Sequence, residues 1–351
     1  MRRRFVAACA VGLMAVAACS GGSGSKPVAK KSAPTTTTAP KPPTAPLTGL
    51  ADPGGQSQGR PALIVKIENT PDARPQAGLN QADVIYEEVA EGGITRFAVV
   101  FNSTVPDVVG PIRSVRAMDP DIVWPLGGVF AYSGGAAPNI PLIQAAPVNA
   151  VDESAAGDAM FRDRSKRAPH NLFGHGDALF AKGGNPVPPH PLFSYYGENE
   201  TTTGDPVVAF SVGFGRGYDV GYSYDGPSRS WQRSMDNGPF VAADGAQVAA
   251  TNVVVQFTNY PAESEGETVG QGDVWVFSDG KVTRGRWTRP QHEQAAQYVD
   301  ATGKPIKLLP GRTVVELLPV GLPVSAIGPP PPPSPEPTVP TTAPPTTKKK
   351  P

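Results

Sequence analysis

Runs of branched apolar residues broken by short polar stretches organise residues 62–135. ALIVKIEN (62–69) predicts a strand. DVIYEEVAEGGITRFAVVFN (83–102) holds two such runs around Gly92-Gly93, which predicts a hairpin with those glycines as a two-residue turn. VFAYSGG (129–135) predicts another strand, ended by glycines. Helix signals are shorter. Asp119-Pro120 supplies an N-cap followed by proline at the first helical position, Asn139 precedes IPLIQAA, and HGDALFAKGG runs to Gly183. Residues 47–200 therefore predict a mixed α+β domain.

After residue 205 the pattern changes to short β runs separated by turn residues: 207–214, 219–225, 229–235, 251–260, 273–287 and 312–319. Asp279-Gly280 between two alternating runs is a strong hairpin signal. Residues 205–327 predict a mainly antiparallel β domain, and the polar GENETTTGDP (197–206) marks the boundary. The fold class is α+β, with about 280 residues more than one small core needs.

The ends of the chain read differently. Arg2, Arg3 and Arg4 precede an apolar run from Phe5 to Ala18, the size of a signal-peptide core and too short to span a bilayer. The run closes on Val16-Ala17-Ala18-Cys19, which predicts a lipoprotein signal (1–18) cleaved before Cys19 and acylation of that cysteine by chains such as palmitate. The expected location is the outer side of the cytoplasmic membrane, held by lipid. Cys9 leaves with the signal, so no thiol remains for a disulfide, a metal site or a nucleophile. Residues 19–46, rich in Gly, Ser, Pro and Thr, predict a disordered tether, and the Pro-rich 328–351 a disordered tail.

Charge narrows the partners. The whole chain sums to +0, but residues 47–327 hold 21 Lys and Arg against 30 Asp and Glu, a net charge of −9. A core of that sign excludes nucleic acid as a general partner.

Basic residues within this acidic core are therefore candidates for chemistry. With Gly92-Gly93 as the turn, Glu87, Glu91 and Arg96 fall on one face of the hairpin and Val84, Tyr86, Phe97, Val99 and Phe101 on the other. That register sends Glu88 to the apolar face; a bulge or another turn exchanges the roles of Glu87 and Glu88. In VGPIRSVRAMDP (109–120), Arg113 and Arg116 flank Ser114, and one helical turn there puts both guanidiniums on one side, suited to a carboxylate or phosphate. FRDRSKRAPHNLF (161–173) adds Arg162, Asp163, His170 and Asn171, with Asp163 expected to orient His170. A structural ion cluster and a solvated basic loop are the alternatives.

No nucleophile elbow or P-loop occurs, GFGRGY (213–218) opens no helix, and the histidine spacing suggests no metal or cofactor.

The lipobox, the tether, NTPDARPQAGLNQADVIYEEVAEGGITRF, VGPIRSVR, FRD and PHNLF follow one another in an order that resembles the YerB-like bacterial lipoproteins, a family of two consecutive domains of unknown function. The resemblance implies a two-domain α+β envelope lipoprotein and carries no activity. Three readings result. The first is a module binding an anionic or carboxylate-bearing cell-wall ligand through Arg96, Arg113, Ser114, Arg116, Arg162, His170 and Asn171. The second is an envelope hydrolase or transferase using Glu87, Glu91, Asp163 or His170. The third is a scaffold for another envelope protein.

Overall fold

In a computed structural model the described residues are 42–184 and 187–329. The predicted signal peptide, Cys19, and nearly all of the predicted tether and tail lie outside them. Packing begins at Ala45, inside the stretch that composition assigns to the tether. There Thr44 bridges Ala51, and its carbonyl accepts from Gln58 Nε2 at 2.8 Å. Among the described residues no helix is long and apolar enough to cross a membrane.

An eleven-stranded sheet takes strands from both halves of the sequence. Its order is Gln297–Asp300, Lys281–Arg289, Gly270–Ser278, Asn252–Thr258, Thr313–Pro319, Val84–Val89, Thr95–Phe101, Leu63–Glu68, Val129–Ala131, Asn149–Val151, with Asp205–Pro206 beside Lys281–Arg289. The seam is a parallel pairing that runs from Thr313↔Val84 to Glu316↔Glu87. Both faces of the central strands are covered: every residue of Leu63–Glu68 and of Thr95–Phe101 is buried. That explains why their sequences are nearly continuous apolar runs instead of alternating ones. It also means that the charged residues in them are taken out of water.

A six-stranded sheet built on Ala209–Val212, Val220–Asp225 and Ser230–Met235 packs against one face. Phe210 and Trp231 from it meet Phe277 of the large sheet, with Phe210 and Phe277 stacked at 3.5 Å between centroids. Fully burying each such side chain contributes about 1.5–3 kcal/mol. A three-stranded sheet, Val108–Val109, Leu172–His175 and Met160–Arg162, completes the first half. The molecule is α+β, with short helices confined to the first half and a mainly antiparallel second half.

Local readings fare unevenly. Asp279 and Gly280 have φ of 54° and 67° and join Ser278↔Lys281, as a two-residue turn of this type requires. The other hairpin departs from expectation. The chain turns over Glu91–Gly93, with Ala90 N donating to Ile94 O at 2.7 Å. The pairing is Val89↔Thr95, Glu88↔Arg96 and Glu87↔Phe97, one residue from the expected register. A one-residue slip exchanges faces, so Glu88 and not Glu87 shares a face with Arg96. Arg113 and Arg116 are not on a helical turn either. Ile112 bridges Ile67 and Val115 bridges Gly135, which makes the segment extended. Asp119 opens the Asp119–Val123 helix without capping it, because its carboxylate is used elsewhere.

Candidate functional site

Three adjacent strands place Glu68, Arg96 and Glu88 in one row, through the pairs Glu68↔Arg96 and Glu88↔Arg96. The two acids do not close on the arginine between them. Glu88 instead binds Lys66, which is wholly buried and also donates to Asp119 Oδ1 at 2.8 Å. Glu68 accepts from Thr70 Oγ1 at 2.8 Å, faces His170 Nδ1 at 2.9 Å, and has Arg113 Nε at 3.1 Å.

Arg96 is left with a neutral partner. Its Nη1 donates to the Ser114 carbonyl at 3.0 Å, and its Nε is buried with no acceptor. Only 5% of the residue is exposed, and among the described residues no carboxylate lies within 4.0 Å of its guanidinium. Arg116 Nη1 reaches the same Ser114 carbonyl at 3.1 Å and Val115 O at 2.9 Å, while its Nε and Nη2 hold Glu91 Oε2 at 2.8 and 2.7 Å. Burial first, then Arg116 and Arg113, push the Arg96 pKa down to about 10. Burial and the neighbouring Asp119, against the pull of Lys66, push the Glu88 carboxyl up to about 7. The rim is more open: Arg113 and His170 side chains are 20% and 18% exposed and Glu91 is 55% exposed.

Of the residues singled out from sequence, the fold gathers Arg96, Arg113, Ser114, Arg116, Glu91 and His170. It does not bring in the rest. Glu87 is buried on the opposite face, where Arg233 Nη2 donates to it at 2.6 Å and Asn69 Nδ2 at 3.1 Å. Arg233 also reaches Glu316 at 2.9 Å and the Tyr222 hydroxyl at 2.7 Å. Burial opposes the Arg233 charge, but Glu87, Tyr222 and Glu316 outweigh it and raise its pKa. Asp163 does not orient His170; it is half-buried and accepts from Ser165 N and Oγ at 2.8 and 2.7 Å, and Glu68 takes the orienting role. Arg162 is paired with Glu153 at 2.6 Å and Asn171 at 2.9 Å, and shares no partner with the other arginines.

Lys66, Glu68 and Asp119 were not anticipated. The signal for the first two is in ALIVKIEN, where two charges spaced by two share one face of an otherwise apolar strand. Among the described residues no group of three His, Cys, Asp or Glu side chains has metal-binding geometry.

Known proteins match this architecture. Residues 47–185 match the N-terminal domain, and residues 210–315 the C-terminal domain, of a protein family of unknown function, DUF3048. YerB of Bacillus subtilis (strain 168), whose name proposes a lipoprotein, is 29% identical over 294 residues, 78% of this chain and 86% of that one. A crystal structure of YerB from Bacillus subtilis superposes with a TM-score of 0.70 at 24% identity, covering 80% of this chain and 99% of that chain. The two domain matches lie in order along the chain and span more than two thirds of it, and the chain belongs to the DUF3048 family of paired N- and C-terminal domains.

Proposed function

We propose that this protein is an envelope lipoprotein, held outside the cytoplasmic membrane by lipid on Cys19, that binds a carboxylate-bearing cell-wall ligand at Arg96, Arg113 and Arg116. The observation that carries the reading is Arg96: a guanidinium out of water, among other arginines, with one neutral acceptor. A buried cation without a counter-ion is costly, and a ligand carboxylate supplies one. Arg113 and His170 at the rim are placed to meet the rest of the anion. Cell-wall peptide fragments are the substrate class to try first. The full chain gains thermal stability with carboxylate-bearing muropeptides, and Arg96→Gln and Arg113→Ala each remove the gain. Equal stabilisation of wild type and both variants overturns the proposal.

The Glu68–His170 pair favours a second reading, hydrolysis of that ligand. Glu68 meets Nδ1 at 2.9 Å, and Nε2 has the exposed Asp72 carboxylate at 3.9 Å. Turnover of muropeptides that disappears in His170→Gln while binding persists selects it.

A further inference from the structure

A second arginine has the same signature at the far part of this sheet face. Arg289, on Lys281–Arg289, is 4% exposed, and among the described residues no carboxylate lies within 4.0 Å of it. It donates to Thr268 Oγ1 at 3.1 Å and to the carbonyls of Asp121 and His292 at 2.5 and 2.6 Å; its Nε is buried without an acceptor. The nearby Asp121 carboxylate is engaged by His292 Nδ1 at 2.5 Å. Burial lowers the Arg289 pKa despite the opposing pull of Tyr86 and Asp121.

Arg289 lines a cavity of ≈ 30 Å³ with Tyr86 and Gln256. Tyr298 donates to Gln256 Oε1 at 3.2 Å, and Gln256, with its amide nitrogen as a donor, and Tyr86, with its hydroxyl, line the cavity beside Arg289. The cavity is thus lined by donors and one positive charge, and its volume suits one or two oxygen atoms. It shares Leu192, Phe193, Ala295, Ala296 and Tyr298 with an open cleft of ≈ 510 Å³, a size typical of small-molecule sites. Phe193 and Tyr298 stack there with centroids 6.2 Å apart, and Ile306 continues the apolar wall.

We propose that this cleft binds an organic acid with an apolar body, its carboxylate entering the side cavity beside Arg289 and its body lying along Phe193, Tyr298 and Ile306. A neutral molecule of the same shape satisfies the apolar wall and leaves the charge of Arg289 uncompensated. An amine is repelled. The geometry therefore selects for the acid and not for hydrophobicity alone. This site stands apart from the Arg96 cluster. The Asp119–Val123 helix serves both, with the Asp119 carboxylate on Lys66 and the Asp121 carbonyl on Arg289.

Titration calorimetry of the full chain with 4-phenylbutyrate and 4-phenylbutanol tests it. The acid binds at least about tenfold more tightly than the alcohol, the scale of one charge-assisted hydrogen bond. Arg289→Gln brings the acid to the level of the alcohol. Ala296→Leu, which narrows the cleft and leaves the arginine in place, weakens both ligands and keeps the test available where Arg289→Gln does not fold. Equal binding of acid and alcohol, no binding of either, or binding unchanged in Ala296→Leu overturns the proposal. Loss of phenylbutyrate binding in Arg96→Gln also overturns it, because the acid then sits at the other cluster.

Discussion

Arg96 and Arg116 donate to one oxygen, the Ser114 carbonyl, at 3.0 and 3.1 Å. Two guanidiniums converging on a single neutral acceptor repel one another, and burial deprives them of the water that would screen the repulsion. Arg116 is relieved by Glu91, and Arg113 by Glu68. Arg96 has no such relief within 4.0 Å among the described residues. The strain in this cluster is electrostatic and is concentrated on one residue.

Replacing that residue should therefore stabilise the protein without ligand. Arg96→Met keeps the volume and apolar stem and removes the charge. The expected gain is about 1–4 kcal/mol in urea denaturation, the range for exchanging buried ion pairs for well-packed apolar side chains, since Arg96 bears the same cost of leaving water. The same variant loses anion-induced stabilisation. A loss of stability would mean that Glu68 and Glu88, in the same row of the sheet, compensate the charge from a distance.

Glu91 occupies the part of Arg116 that a ligand carboxylate would use, and it is 55% exposed. Arg116 itself is only 8% exposed, so Glu91→Gln takes the counter-ion from a buried guanidinium and should lower the unfolding midpoint. Affinity for an anionic fragment should rise severalfold, since a competing negative charge is gone. A fall in affinity would instead assign Glu91 to holding Arg116 in its binding pose.

The Lys66, Glu88 and Asp119 cluster makes stability depend on pH. The folded-state pKa of Glu88, about 7, is above the ordinary 4.5. Between those values the folded chain keeps a proton that the unfolded chain has released. Stability from this group is full below about pH 4.5, falls as pH rises to about 7, and is flat beyond. Denaturation midpoints of wild type and Glu88→Gln across pH 4–8 should diverge over that window. Parallel profiles would show Glu88 ionised throughout, held by Lys66.

Strands, the type of fold and the Asp279-Gly280 turn were legible because each depends on a local pattern of two to ten residues. The arginine cluster was half legible. Arg96, Arg113 and Arg116 stand out in an acidic core, but their convergence depends on a register set by the Glu91–Gly93 turn, which one residue decides. The extended path of Ile112–Val115 comes from pairing with Ile67 and Gly135, residues distant in sequence. Asp163 and Arg162 look like site residues by composition, yet each finds a nearby partner, Ser165 and Glu153, and is satisfied locally. The exchange of Glu87 and Glu88 that another turn allows is the arrangement the fold adopts, for the same one-residue reason.

The face that carries Glu87 gives the strongest stability prediction. Glu87 and Glu316 are directly paired on adjacent parallel strands at the seam between the two halves of the chain, and Arg233 from the six-stranded sheet lies between their carboxylates at 2.6 and 2.9 Å. Burial and the neighbouring Glu87 already raise the Glu316 pKa well above the carboxylate range. Arg233→Met leaves two buried acids facing each other, and the expected cost is about 3–5 kcal/mol. Arg233→Met with Glu316→Gln should recover part of it, because only one acid is then left without its cation, and the cycle should show a coupling of about 0.5–3 kcal/mol. The deficit of the single variant should also shrink as pH is lowered, since protonating either carboxyl removes the repulsion that the substitution exposes. A cost below about 1 kcal/mol, unchanged by pH, would mean that Arg233 meets a pair already carrying a proton, and that packing of the two sheets through Phe210, Trp231 and Phe277 holds the seam without it.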